Sequence, residues 1–139
     1  MGTIRNIWRV NLKDCIFCNL DPSRIEKENT YALSFKDLYP VTKGHTLFIP
    51  KRHVQSFFDL NSNEKEAIFE LLELEREKLI QQDSLITGFN IGINDGPDAG
   101  QTVMHCHVHL IPRRNGDMSD PRGGVRGVIP EKQSYLRNN

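Results

Sequence analysis

The stretch from Thr102 to Pro112, TVMHCHVHLIP, constrains the fold more than any other part of the chain. Alternate side chains of a strand point to opposite faces of a sheet. Met104, Cys106, Val108 and Leu110 therefore share one face, uniformly apolar and expected to lie on the core. This reading makes Cys106 a small buried hydrophobe. Val103, His105, His107, His109 and Ile111 share the other face, which carries three of the chain's five histidines.

The rest of the pattern builds a sheet around that strand. Residues 30–35 (TYALSF) alternate and are rich in strand formers, and HTLFIP (45–50) is a second strand ended by its proline. FNIGIN (89–94) is a third, followed by a tight loop, DGPDAG (95–100). Between them the period changes. Asn61 and Glu64 have the spacing of a capping box, and Ile68, Leu71, Leu72 and Leu79 recur at helical intervals up to about Gln82. Gly88 is the expected stop. A strand meander with one long helix predicts an α+β fold with a largely antiparallel sheet. The segment after Arg113, rich in Gly, Pro, Arg and Asp, reads as an extended surface tail.

At 139 residues the chain fits one domain with its own core. Its formal charge of zero argues against sequence-independent binding of nucleic-acid polymers, although Lys51-Arg52 and Arg113-Arg114 suit a small anion. No apolar run reaches membrane-spanning length, and MGTIRNIWRVN lacks the apolar stretch of a secretory signal. Gly2 does not make a myristoylation site, because Asn6 stands where Ser or Thr is needed. Three cysteines, two in a C-x-x-C, do not form a disulfide framework, so a reduced, cytoplasmic protein is expected.

From the residues alone, three readings of the histidine face stay open: hydrogen-bonded histidines without chemistry, one metal held by all three, or a nucleophile flanked by orienting neighbours. A single ion is strained, since four residues of strand span about 13 Å. A neutral imidazole is available near neutral pH, its unperturbed pKa being about 6.5. Cys15 and Cys18 alone suit either a metal or a redox site.

Three segments, in order, resemble the histidine triad (HIT) superfamily: CIFC (15–18) its N-terminal zinc knuckle, GHTLFIPKRHV (44–54) its second block, and NDGPDAGQTVMHCHVHLIPR (94–113) its signature. The DGPDAGQTV loop and the GDMSDPRGGVRGVIPEKQSY tail are most similar to the dinucleoside polyphosphate hydrolases, of the diadenosine tetraphosphate type. The resemblance implies a HIT-like fold in a single domain over 1–139, with its core at 15–113 and a tail at 114–139. It also implies a homodimer with a joined sheet.

The resemblance further implies that His107 attacks the α-phosphorus of a nucleotide and that water hydrolyses the nucleotidyl-histidine formed. A nucleotide leaving group needs little protonation, whereas an amine would need a proton that His109 or Thr102 could help supply. His109 is implied to bond a phosphate oxygen and His45 to support the site. Asp37 matches a ribose-binding position, Asn94 a phosphate contact, and Gln101 and Thr102 positions near the leaving group. Strand parity would turn Thr102 away, so its assignment requires a loop there. Phe17, Leu20 and Ile25 either wall a base pocket or pack in the core.

Cys15, Cys18, His53 and His105 match the zinc ligands of the family's zinc-containing branch, a closed Cys₂His₂ set and hence a structural one. On this reading the three histidines serve two sites. Mg²⁺ is compatible with a polyphosphate substrate. The tail's Arg122, Arg126, Lys132 and Tyr135 either fold over the substrate's distal phosphates or form a solvated surface. Beside the hydrolase stand an adenylyl phosphoramidase or a phosphorylase using the same intermediate, and a zinc-stabilised nucleotide-binding module without turnover.

Overall fold

The computed structural model describes residues 12–135. The readings made on the N-terminal stretch, concerning a secretory signal and Gly2, lie outside the described residues. Five strands, β1 (Ile25–Glu28), β2 (Ala32–Lys36), β3 (Thr46–Pro50), β4 (Ile86–Ile93) and β5 (Val108–Arg114), form one antiparallel sheet in the order β1-β2-β3-β5-β4. One helix, α1 (Ser62–Gln82), covers one face. The fold is α+β, as the pattern predicts.

The helix forms where its start signal and its apolar stripe coincide. The Asn61 side chain accepts from the Glu64 N–H at 2.8 Å, and the Glu64 carboxylate accepts from the Asn61 N–H at 2.9 Å, completing the capping box. Arg52 clamps the same buried carboxylate through two bonds of 2.8 and 2.9 Å. Ile68, Leu71, Leu72 and Leu79 are all buried, packed in one cluster with Phe48, Val108 and Leu110 of the sheet. Asn61→Ala removes the cap, and we expect a loss of about 1 kcal/mol, measured as a lower urea midpoint with an unchanged slope.

Three expectations need correction. The helix stops at Asp83, whose carboxylate pairs with Arg114 at 2.9 Å, whereas Gly88 lies inside β4 where the register with β5 shifts. A strand at Ile25–Glu28 was not expected, because IEKE has no apolar alternation; it is one of the sheet's two outer strands and mostly exposed. The histidine strand begins only at Val108, not at Thr102.

That last difference has a cause in hydrogen bonding. The Cys106 N–H donates to the Val54 carbonyl at 2.6 Å, and the His105 imidazole reaches the Pro50 carbonyl at 2.8 Å. These contacts with the last residue of β3 and the loop after it replace ladder pairing, so tertiary context overrides strand propensity. Cys106, Val108 and Leu110 still enter the helix-side core, but Met104 is only partly buried. Among the described residues no helix is long and apolar enough to cross a membrane.

Candidate active site and metal cluster

The sheet face opposite the helix carries the site. A smaller cluster of Phe35, Leu47 and Ile49, with Phe17, Leu20 and Leu33 against it, occupies the β2–β3 end of this face. Next to it lies a cavity of about 410 Å³ that exposes Asp37, His45, Asn94, Thr102, His107 and His109 together. Phe17 lines this cavity, as do Phe35, Leu47 and Arg24, which the sequence reading did not single out. Leu20 packs behind the wall, and Ile25 is not among the lining residues.

His107 is placed by the irregular stretch before β5. Its ring is buried, 8% exposed, and its Nδ1 lies 2.8 Å from the carbonyl oxygen of His105. A carbonyl only accepts, so Nδ1 carries the proton and donates it. With the proton on Nδ1, the lone pair available for attack is the one on Nε2. Phe17 meets the ring edge-on, with centroids 5.1 Å apart, and the His109 ring stands 5.2 Å away.

His45 and His109 form a second hydrogen-bonded series. The turn before His45 needs Gly44 at φ +97°, where a Cβ would also stand 3.1 Å from Leu79 and Pro112. The Val41 N–H donates to His45 Nδ1 at 3.0 Å, which leaves the His45 proton on Nε2. That Nε2 faces His109 Nδ1 at 2.9 Å and donates to it. The His109 proton is thereby assigned to Nε2, a buried atom with no hydrogen-bond partner among the described residues. An unpartnered buried donor costs free energy unless a ligand accepts from it.

Electrostatics hold both rings neutral. Burial lowers the pKa of His45 against the opposing carboxylate of Asp37, 3.6 Å away. Burial, then repulsion from His107 and His45, pushes His109 down to about 4. Asp37, His45 and His109 also place ligand-type atoms within 4.8 Å of one another. The 2.9 Å nitrogen–nitrogen separation is a hydrogen-bond length, and the Val41 N–H occupies the other His45 nitrogen, so we read the trio as a proton-bearing relay and not as a metal site.

Other site residues divide by what their side chains do. Asn94, just after β4, and Thr102, in the loop that its assignment required, both line the cavity. Asp37 lines it too, while its Oδ1 accepts from the Tyr39 N–H at 2.9 Å. Gln101 is buried and does not line the cavity. Its amide donates to the Gln55 and Val103 carbonyls at 2.9 and 3.1 Å and accepts from the Gly96 N–H at 2.8 Å. In this structure it ties the 95–101 loop together. Asp95, which the sequence reading passed over, anchors the loop's other end by accepting from the Phe57 N–H at 2.8 Å and the Ser56 hydroxyl at 3.1 Å.

Cys15, Cys18, His53 and His105 converge beside the cavity, with their ligand-type atoms all within 4.8 Å. His105 Nδ1 lies 3.5 Å from both sulfurs, and His53 Nδ1 lies 3.1 Å from Cys18 Sγ. A tetrahedral ion with sulfur at 2.3 Å and nitrogen near 2.05 Å would set such edges at about 3.5 Å. His105 Nε2 donates to the Pro50 carbonyl at 2.8 Å, which turns the Nδ1 lone pair toward the sulfurs. Burial also pushes His105 down to about 4, so its ring is neutral. Without a cation the same crowding is unfavourable to thiolates: burial, then Cys15, raises the Cys18 thiol to about 11. The donor set and its geometry fit a divalent metal.

An antiparallel sheet with one covering helix, a buried histidine beside an apolar pocket and a Cys₂His₂ cluster behind it define a class of small histidine-centred domains. Comparison with known proteins gives that class a family. The HIT domain family model matches residues 21–116, and the chain belongs to that family. A zinc-bound histidine triad family protein from Mycobacterium smegmatis superposes with a TM-score of 0.70 at 33% identity, over 79% of this chain and 82% of that one. A 16.1 kDa HIT-like protein of Mycoplasma pneumoniae is 36% identical over 104 residues, 72% of each chain. The asymmetrical bis(5'-nucleosyl)-tetraphosphatase of Schizosaccharomyces pombe is 38% identical over 98 residues, covering 70% of this chain and 53% of that protein.

Proposed function

We propose that the chain is a nucleotidyl hydrolase that cleaves dinucleoside polyphosphates of the diadenosine tetraphosphate type through a covalent intermediate on His107. The observation that carries this reading is the hydrogen bond from His107 Nδ1 to the His105 carbonyl, which leaves Nε2 as the nucleophile in a nucleotide-sized cavity. Similarity to a relative named as an asymmetrical tetraphosphatase supports the substrate class.

The base would lie against Phe17, Phe35 and Leu47, and the ribose hydroxyls would donate to Asp37. The Nε2–H of His109 and the Asn94 amide would donate to oxygens of the α-phosphate, with Thr102 at the leaving-group side. Nε2 of His107 forms the N–P bond while the P–O bond to the leaving nucleotide breaks, its electron pair staying on that oxygen. The Nδ1–H bond to the His105 carbonyl strengthens as the ring becomes positive. Water then attacks phosphorus, the N–P pair returns to His107, and a proton is released. One nucleoside monophosphate and one larger nucleotide result.

Cys15, Cys18, His53 and His105 form the proposed zinc site, a structural clip with no open position for chemistry. Mg²⁺ is proposed only as the substrate's companion. β4 is an outer strand with Ile91 exposed on it, which supports a homodimer through a joined sheet. Arg122 pairs with Asp120 and Arg126 stacks on Tyr135 within the tail, so a surface role for these two arginines is the better supported one.

Product analysis tests the reading. With diadenosine tetraphosphate in ¹⁸O-labelled water we expect AMP and ATP, with label only in AMP. Label in ATP, or two molecules of ADP, would contradict attack at the α-phosphorus.

A further inference from the structure

A second cavity, of about 540 Å³, lies on the same sheet face beyond the histidines. Its floor is Asn90 and Gly92 of β4 with Asn94 just beyond the strand, and its roof is the tail, through Val125, Val128 and Gln133. The two cavities share one wall, made of Val41, His45, Asn94 and His109. His107 lines only the first. The buried His109 Nε2, without a partner among the described residues, thus belongs to the partition between them.

We infer that the second cavity binds the nucleoside of the leaving group, so that the enzyme holds both halves of a dinucleoside polyphosphate. This rests on the nucleophile reading above. In-line displacement sends the leaving group away from the attacking atom, and the second cavity lies across the partition from the cavity that His107 lines. Its chemistry suits a neutral nucleoside better than a phosphate. Apart from the histidines, Arg113 is the one cationic side chain among its described lining residues. Arg113 is committed to Asp117 by two bonds of 2.8 and 2.9 Å and to Asn90 by one of 2.7 Å. What remains are amides that can meet base or ribose edges, and aliphatic side chains that can cover a base. Small-molecule sites commonly combine these features in cavities of this size. A phosphoramidate with a small amine leaving group would leave this cavity unused.

Gly92 provides the test. It pairs with His109 across the ladder and so shares its face, and a Cβ there would meet nothing within 4 Å. Gly92→Val therefore adds bulk to the floor from a Cβ that meets nothing, in a strand that favours β-branched residues. Val125→Trp adds bulk to the exposed roof. KM and kcat would be measured for diadenosine tetraphosphate and adenosine 5'-phosphoramidate, with helix content confirmed by circular dichroism. We expect each variant to raise the ratio of the two KM values by about tenfold, with kcat little changed, the pattern of lost ground-state binding. An unchanged ratio in both variants, or equal rises for both substrates, overturns the second subsite while leaving the nucleophile reading intact. Failure of the wild type to turn over either substrate removes the nucleophile reading and the subsite with it.

Discussion

His107→Asn is expected to lower kcat for diadenosine tetraphosphate by at least about 10⁴-fold, the scale of losing a covalent nucleophile. The asparagine amide can still donate to the His105 carbonyl, as His107 Nδ1 does at 2.8 Å, so the irregular stretch before β5 keeps its anchor. What disappears is the lone pair at the far end of the ring. Mononucleotide binding should persist, because the apolar wall of Phe17, Phe35 and Leu47 and the His109 donor are untouched. Steady-state rates on the wild type and the variant, with AMP binding measured alongside, check both halves. Turnover by the variant within tenfold of wild type would contradict a nucleophilic His107. A wild type that binds AMP tightly and hydrolyses nothing would instead favour the binding-module reading.

The second large effect concerns the Cys₂His₂ cluster. We expect the protein to carry one zinc per chain, and Cys15→Ser or chelation to lower stability by at least about 3 kcal/mol, because metal binding free energy is also folding free energy. For a domain of this size that is roughly a 10 °C fall in melting temperature. Cys15 is buried in the N-terminal knuckle, and the cluster joins that knuckle to the loop after β3 and to the residue two before His107. Losing the metal therefore frees three segments at once. Activity should fall less steeply than stability, since the His105 carbonyl, not its ring, touches His107. Metal analysis and thermal melts with and without chelator test this. Complete metal removal with an unchanged melting temperature would refute a structural role.

The helix was legible because its cap and stripe are local signals: Asn61, Glu64 and the four apolar positions need no knowledge of the fold. β2 and β3 were legible for the same reason. The extent of the histidine strand was not, since TVMHCHV has strand composition and only the bonds to Pro50 and Val54 show why it stays irregular. That irregularity also matters for the site. Regular alternation would put His105 and His107 on one face, whereas the actual backbone sends His105 to the cysteines and His107 to the cavity. The candidate ligands and the nucleophile were named from resemblance, but the tautomers were not accessible that way. They follow from Val41, His105 and the facing rings of His45 and His109, contacts up to 64 residues apart in sequence. Gln101 illustrates the opposite limit: its position in the motif suggested ligand contact, and its amide is engaged by the backbone of its own loop and of Gln55.

The most direct test of the central claim is intact-mass and peptide-level mass spectrometry on wild-type enzyme quenched during turnover of diadenosine tetraphosphate. The account predicts a transient AMP adduct that maps to His107, is labile to acid, and is absent from His107→Asn. Turnover with no adduct at any quench time, or an adduct on another residue, would contradict it.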